Sequence, residues 1–257
     1  MQVIPAIDLR EGACVQLVGG SYADERVRVA DPPKVAKGWA DLGFCRIHVV
    51  DLVAATGRGS NRAIVRTILA ACATETALAP TRRGDSARGS EPMTTVQCGG
   101  GVRDLETIGD LLDAGASAVV VGTRAIEDRA WLEEAVARYP NQIIVAADCM
   151  ARQLVTRGWS RTNARDVVDF VDELSSLSLA AILVTAVERE GRMEGPDLKL
   201  MRDIAPRSRS PIHASGGVRN VDDIRALADA GASAAIVGMA LYTGVLDPDT
   251  ILEEFRA

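Results

Sequence analysis

The chain carries one segment twice. CGGGVRDLETIGDLLDAGASAVVVGTRA, beginning at Cys98, returns as ASGGVRNVDDIRALADAGASAAIVGMAL, beginning at Ala214. Aligning Gly100 with Gly216 sets Arg103 on Arg219, Asp113 on Asp229 and Gly122 on Gly238, and about half of the paired positions are identical. A second pair of segments obeys the same logic: IPAID, ending at Asp8, answers IVAAD, ending at Asp148. The fold must therefore be built from two copies of one half. Each half offers a carboxylate where an apolar run ends and a pair of glycine-rich turns.

Apolar, β-rich runs alternate with stretches of helical period from one end to the other. The runs ending at Asp8, Asp51, Gly122, Asp148, Gly216 and Gly238, with those around Cys98 and Thr185, read as eight strands. Between them, DLETIGDLLDAG from Asp104 and VDDIRALADAG from Val221 read as amphipathic helices, each stopped by a glycine. Eight βα units in 257 residues predict an α/β protein, a (β/α)8 TIM barrel built from two half-barrels. The competing arrangement is a doubly wound open sheet. Its first turn would read GxGxxG, and IDLREGACVQL does not. Aromatic residues make up only 4% of the chain, so Val, Ile, Leu and Ala must fill the core, as in parallel strands buried on both faces.

One domain over residues 1–257 is expected, because no linker interrupts the alternation. The repeat breaks once: Asn61 to Gly100 is about 18 residues longer than the matching span from Gly195 to Gly216. The excess, ATETALAPTRRGDSARGSEP, predicts a surface insertion over 73–93. Following the second helix and preceding the third strand, it would emerge on the barrel face opposite the chemistry. It is the segment left for any protein partner; the chain is otherwise expected to act as a monomer.

The formal net charge of −6 argues against general nucleic-acid binding, although anion binding is local and remains open. The apolar runs are too short to span a bilayer. MQVIPAID has neither a basic segment nor a cleavage site of the secretory kind. Five cysteines, odd in number and without CxxC spacing, read as reduced thiols in a cytoplasmic protein, neither a disulfide framework nor a zinc site.

In a barrel of this kind, chemistry gathers where strands end and the following loops begin. Asp8 and Asp148 fall there on the first and fifth strands, across the barrel from one another. Such a pair can divide the work of acid and base when its environments separate the two pKa values. Both histidines, His48 and His213, sit upstream of strand ends, so a core or supporting role is expected and a triad is not. The turns at Gly100–Gly101 and Gly216–Gly217 each join a strand to a helix, where exposed backbone N–H groups can close on a phosphate. The next strand ends add Gly122 and Thr123 in one half, Gly238 and Met239 in the other. Two cradles on opposite sides of one mouth suit a small molecule with a phosphate at each end.

IPAIDLREGACVQLVGG, HVVDLVAATGRGSN, VQCGGGVRD, TRGW at Trp159, VTAVEREGRMEGPD and ASGGVRN with IVGMALY together resemble the ProFAR isomerases, histidine-biosynthetic (β/α)8 barrels. The likeness spans the chain apart from the insertion. It implies an Amadori rearrangement of an aminoaldose carrying two phosphoribosyl groups to the aminoketose, with no metal or organic cofactor. By resemblance Asp148 is the general acid, Asp8 the general base, and Thr185 positions substrate and acid; Asp51, the symmetry counterpart of Thr185, is structural or supports the site. A sister cyclase of the same pathway shares the paired Asp residues but differs in its first-strand motif. Bifunctional relatives, which also isomerise phosphoribosylanthranilate, use an Arg and a Trp that Arg157 and Trp159 match. They also use an Arg where this chain has Gln16. A non-catalytic paralogue that binds phosphorylated metabolites is the reading from another class.

Overall fold

Eight parallel strands close on themselves in the computed structural model, which describes residues 1–73 and 94–255. In barrel order they are β1 (Gln2–Arg10), β4 (Arg46–Asp51), β5 (Thr95–Gly99), β6 (Ala118–Val121), β7 (Ile143–Ala146), β11 (Ala181–Thr185), β12 (Ile212–Ser215) and β13 (Ala234–Val237). Closure comes from Gln2–Pro5 of β1 pairing in parallel with Ala234–Val237 of β13, which excludes an open sheet. The insertion expected over 73–93 lies, from residue 74 onward, outside the described residues.

The strand sequences explain the layers. In AVVV of β6, Ala118 and Val120 point into the barrel, and Val119 and Val121 point to the helices; all four are buried. The inner layer is small and aliphatic, with Ala6, Ala118, Ala146, Ala181 and Ala234 among Ile4, Ile144, Leu183 and Ile236. The outer layer packs the strands against helices through residues such as Ile7, Ile108, Leu132 and Ile224, each fully buried. Each such side chain removed from water stabilises by roughly 1.5–3 kcal/mol.

The repeat extends to helix capping. Asp104 accepts from the Thr107 N–H at 2.7 Å before the helix Leu105–Asp113, and Asn220 accepts from the Asp223 N–H at 2.9 Å before Val221–Asp229. Each cap is worth about 1 kcal/mol. Gly115 and Gly231, in left-handed backbone, follow the two helices.

Two additions lie outside the eight expected units. After β1 the chain folds back as an antiparallel hairpin, β2 (Ala13–Val18) and β3 (Ser21–Val29), turning at Gly19–Gly20. After β7, β8 (Cys149–Met150), β9 (Gln153–Thr156) and β10 (Arg161–Asp166) form a small antiparallel sheet. Both rise from the C-terminal ends of barrel strands and wall the mouth. Among the described residues no helix is long and apolar enough to cross a membrane.

Candidate active site

A cavity of about 430 Å³ occupies the mouth at the C-terminal ends of the barrel strands. That volume is ordinary for a small-molecule site. Asp8, Asp148 and Thr185 line it, as do Gly100, Gly101, Gly122 and Thr123 of the first half. Arg157 and Trp159 complete the set that borders the cavity. The second-half residues Gly216, Gly217, Gly238 and Met239 do not line it.

Asp8 is held within β1, because Asp8, Leu9 and Arg10 pair with Val15, Cys14 and Ala13 of the hairpin. Burial pushes its carboxyl from 3.8 up to about 7. Asp148 follows β7 by two residues. Its carboxyl is also pushed up by burial, while hydrogen bonds from Trp159 and Thr185 act in the opposite sense. The Trp159 indole N–H donates to Asp148 Oδ2 at 2.8 Å. Thr185 closes β11 and is buried.

A third carboxylate joins them that the sequence pattern had not singled out. Glu190 follows the short 3-10 turn Val187–Arg189 and lines the same cavity. Burial, then the negative charges of Asp8 and Asp148, push its carboxyl up to about 8 against a hydrogen bond from Ser215. The run VEREG holds two glutamates, and Glu188 is exposed while Glu190 faces inward. Spacing alone carries no signal that separates them. His48 also reaches the cavity, at 3.0 Å from Gln97 Nε2, and burial followed by the charge of His213 lowers its pKa to about 3. His213 lies in the interior with its pKa lowered to about 4, mainly by burial. Both imidazoles are neutral near pH 7.

The two cradles differ in cover. Gly100 and Gly101 adopt φ of +98° and +72°, and a Cβ on either would meet backbone: Asp51 N at 2.7 Å for Gly100, Ala54 O at 2.6 Å for Gly101. Only glycine lets the turn lie this close to the loop beneath it while its upper side faces the cavity. Thr123 Oγ1 accepts from the Arg157 N–H at 2.8 Å, and the Arg157 side chain pairs with Glu127 at 3.3 Å. The second cradle has the same kind of floor, and the difference lies at Gly238. Gly195 N donates to Gly217 O at 2.9 Å, a Cβ on Gly216 would meet Ala186 O at 2.7 Å, and the Gln16 carboxamide rests against Gly238. Met239 is buried. The arginines at the repeated position diverge too: Arg219 is held by Asp223 at 3.0 Å, whereas Arg103 lines the cavity and makes no ion pair among the described residues.

Asp51 stands behind the first cradle rather than in it. It caps the helix Leu52–Ala55 through the N–H groups of Val53 and Ala54, and it also accepts from Asn61. Among the described residues no group of three or more His, Cys, Asp or Glu is arranged to hold a metal ion.

Comparison with known proteins points the same way. The family described as "Histidine biosynthesis protein" matches residues 2–79 and 89–247. A protein of Gemmatimonas aurantiaca named 1-(5-phosphoribosyl)-5-((5-phosphoribosylamino)methylideneamino) imidazole-4-carboxamide isomerase is 51% identical over all of both chains. Isomerases of the same name from Myxococcus xanthus and Bordetella pertussis are 49% and 38% identical, covering 99% and 96% of this chain and 99% and 95% of theirs. With its closed barrel, its halved sequence and these full-length relatives, the chain belongs to the histidine biosynthesis protein family.

Proposed function

We propose that the chain is the isomerase its relatives are named for, converting the aminoaldose ProFAR to its aminoketose. The observation that carries the mechanism is the meeting of Asp8 and Asp148 in one cavity, each with its carboxyl raised by burial. A carboxyl near neutrality is a competent base, and one raised by burial keeps a proton to give. Asp148 protonates the ring oxygen of the aminoaldose as the C1–O bond opens to the Schiff base. Asp8 takes the C2 proton, leaving an enolamine. Proton return to C1 and loss of the C2 hydroxyl proton give the ketose, so one hydrogen moves from C2 to C1 with no net redox change. Thr185 holds Asp148 and substrate in register. Gly100, Gly101, Gly122 and Thr123 take one phosphate, and Gly216, Gly217, Gly238 and Met239 take the other. The enzyme works in the cytoplasm as a single-domain monomer on a small-molecule substrate.

The experiment is steady-state turnover of ProFAR and, in parallel, of phosphoribosylanthranilate, with Asp148→Asn as control. Turnover of ProFAR alone, lost in the variant, is expected. A second reading, the bifunctional isomerase, is favoured by Arg157 and Trp159 both lining the cavity, and turnover of both substrates would establish it. Turnover of neither would leave a binding paralogue or the cyclase.

The pH profile follows from the same assignment. Asp8 must be ionised to act as base, so kcat/KM is expected to rise with pH through a limb near about 7. A fall at higher pH is expected where an acid that must hold its proton loses it, and burial raises both Asp148 and Glu190 in that direction. A profile flat from about pH 5 to pH 8 would remove Asp8 from the base role.

A further inference from the structure

Three successive residues carry the segment over the mouth in left-handed backbone: Arg157, Gly158 and Trp159, at φ of +57°, +63° and +65°. For the two non-glycine residues this costs about 1–2 kcal/mol each. A turn of this kind persists only when its surroundings over-determine it. Some of the holding contacts lie on its own side. The Arg157 N–H donates to Thr123 at 2.8 Å, and Ser160 Oγ donates to Arg157 O at 2.8 Å.

Another contact crosses to the other wall. The Trp159 indole lies on Gly20, the second residue of the β2–β3 turn. A Cβ at Gly20 would fall on the indole six-membered ring, 2.7 Å from Cζ3 and still nearer to Cε3. The ring is held at its far end by the 2.8 Å bond from its N–H to Asp148 and so has no free swing away from a new methyl group. We propose that Gly20 is a positioning residue: its missing side chain is the seat on which Trp159 lies while it donates to Asp148. The inference rests on the proposed role of Asp148 only where activity is read.

Gly20 has a second reason to be glycine, since it and Gly19 form a two-residue hairpin turn with φ of +70° and +55°. Gly19 separates the two reasons. It shares the left-handed turn, but a Cβ there would meet nothing within 4 Å. Gly19→Ala therefore imposes the backbone strain without touching Trp159.

The test compares Gly20→Ala and Gly19→Ala by the indole N–H resonances of the three tryptophans, with Trp159 assigned by its disappearance in Trp159→Phe. In the parent protein the Trp159 resonance is expected to sit downfield and to move as Asp148 titrates. Gly20→Ala should shift it to the position of a water-bonded indole and abolish that movement, and Gly19→Ala should leave both unchanged. In turnover, Gly20→Ala should lower kcat/KM by about tenfold or more. It should also move the limb set by Asp148 to higher pH, because the bond that opposes its raised pKa is gone. An unchanged resonance in Gly20→Ala, or an equal change in Gly19→Ala, would overturn the proposal. A shifted resonance with unchanged kinetics would leave the seat standing and sink the acid role of Asp148. If Gly20→Ala does not fold, the Gly20→Ala/Trp159→Leu double variant decides. Its melting temperature should match that of Trp159→Leu carrying Gly19→Ala, and a persistent deficit would count against the seat.

Discussion

Asp8→Asn is expected to lower kcat/KM for ProFAR by about a thousandfold, and to melt at a higher temperature than the parent above neutral pH. The loss of rate follows from removing the base, whose contribution in such reactions is about 10² to 10⁴. The gain in stability follows from where the carboxyl sits. Burial raises its pKa from 3.8 to about 7, so the folded protein holds this proton more tightly than the unfolded chain. The group therefore costs nothing below its unfolded value, and stability declines as pH rises from there through the folded value. Asparagine cannot ionise and escapes that decline. Near about pH 8 the variant should melt higher than the parent by up to about 10 °C, with the difference nearly gone near about pH 4. Thermal melts at the two pH values check it; a variant less stable than the parent at both would show that Asp8 is not buried as described.

Asp51→Ala is expected to cost about 4 kcal/mol, among the largest losses available to a single substitution here. The carboxylate accepts from the N–H groups of Val53 and Ala54 at 3.1 Å each, from Asn61 N at 2.5 Å, from Asn61 Nδ2 at 2.9 Å and from Ser60 Oγ at 3.3 Å. Alanine leaves those donors without an acceptor in a site only 4% exposed. Asn61 in turn accepts from Gly12 N and donates to Leu9 O, so the loss spreads to the strand that carries Asp8. The backbone of Asp51 also underlies Gly100. Denaturant unfolding measures the stability. Activity per folded molecule should fall as well, because the loop under the first cradle loses the carboxylate that ties it down; a loss under about 1 kcal/mol would contradict the network.

The barrel strands were legible because parallel strands buried on both faces are written as short continuous apolar runs. Each of the eight runs became a strand of the closed barrel. The β2–β3 hairpin was not legible. β3 reads SYADERVRV, and its charges answer one another, as Glu25 does with Arg10 at 2.9 Å and with Arg28 at 2.7 Å, so it offers no buried face with period two. The same holds for β10, RTNARD, which has no fully buried residue. Of the residues tied to the repeat, Thr185 closes its strand, Asp148 stands two residues past β7, and Asp8 lies inside β1, which runs on to Arg10 because β2 pairs with it. The inequality of the two cradles was hidden, since Gly122 and Gly238 look alike in sequence and the Gln16 carboxamide lies against only the second. Glu190 was hidden too: a loop conformation, not a spacing, turns it inward.

The pairing of β1 with β13 also governs how the chain is made. During synthesis β1 appears before every other strand of the barrel, yet one of its two parallel neighbours is assembled from residues 234–237. Until those are available, the inner face of Ile4 and Ala6 lacks Ala234 and Ile236, and one edge of β1 lacks its ladder. Contacts of such long sequence separation form late and slowly. The nascent chain therefore carries an open sheet edge for most of its synthesis, and the step that seals the barrel waits on its eighth strand.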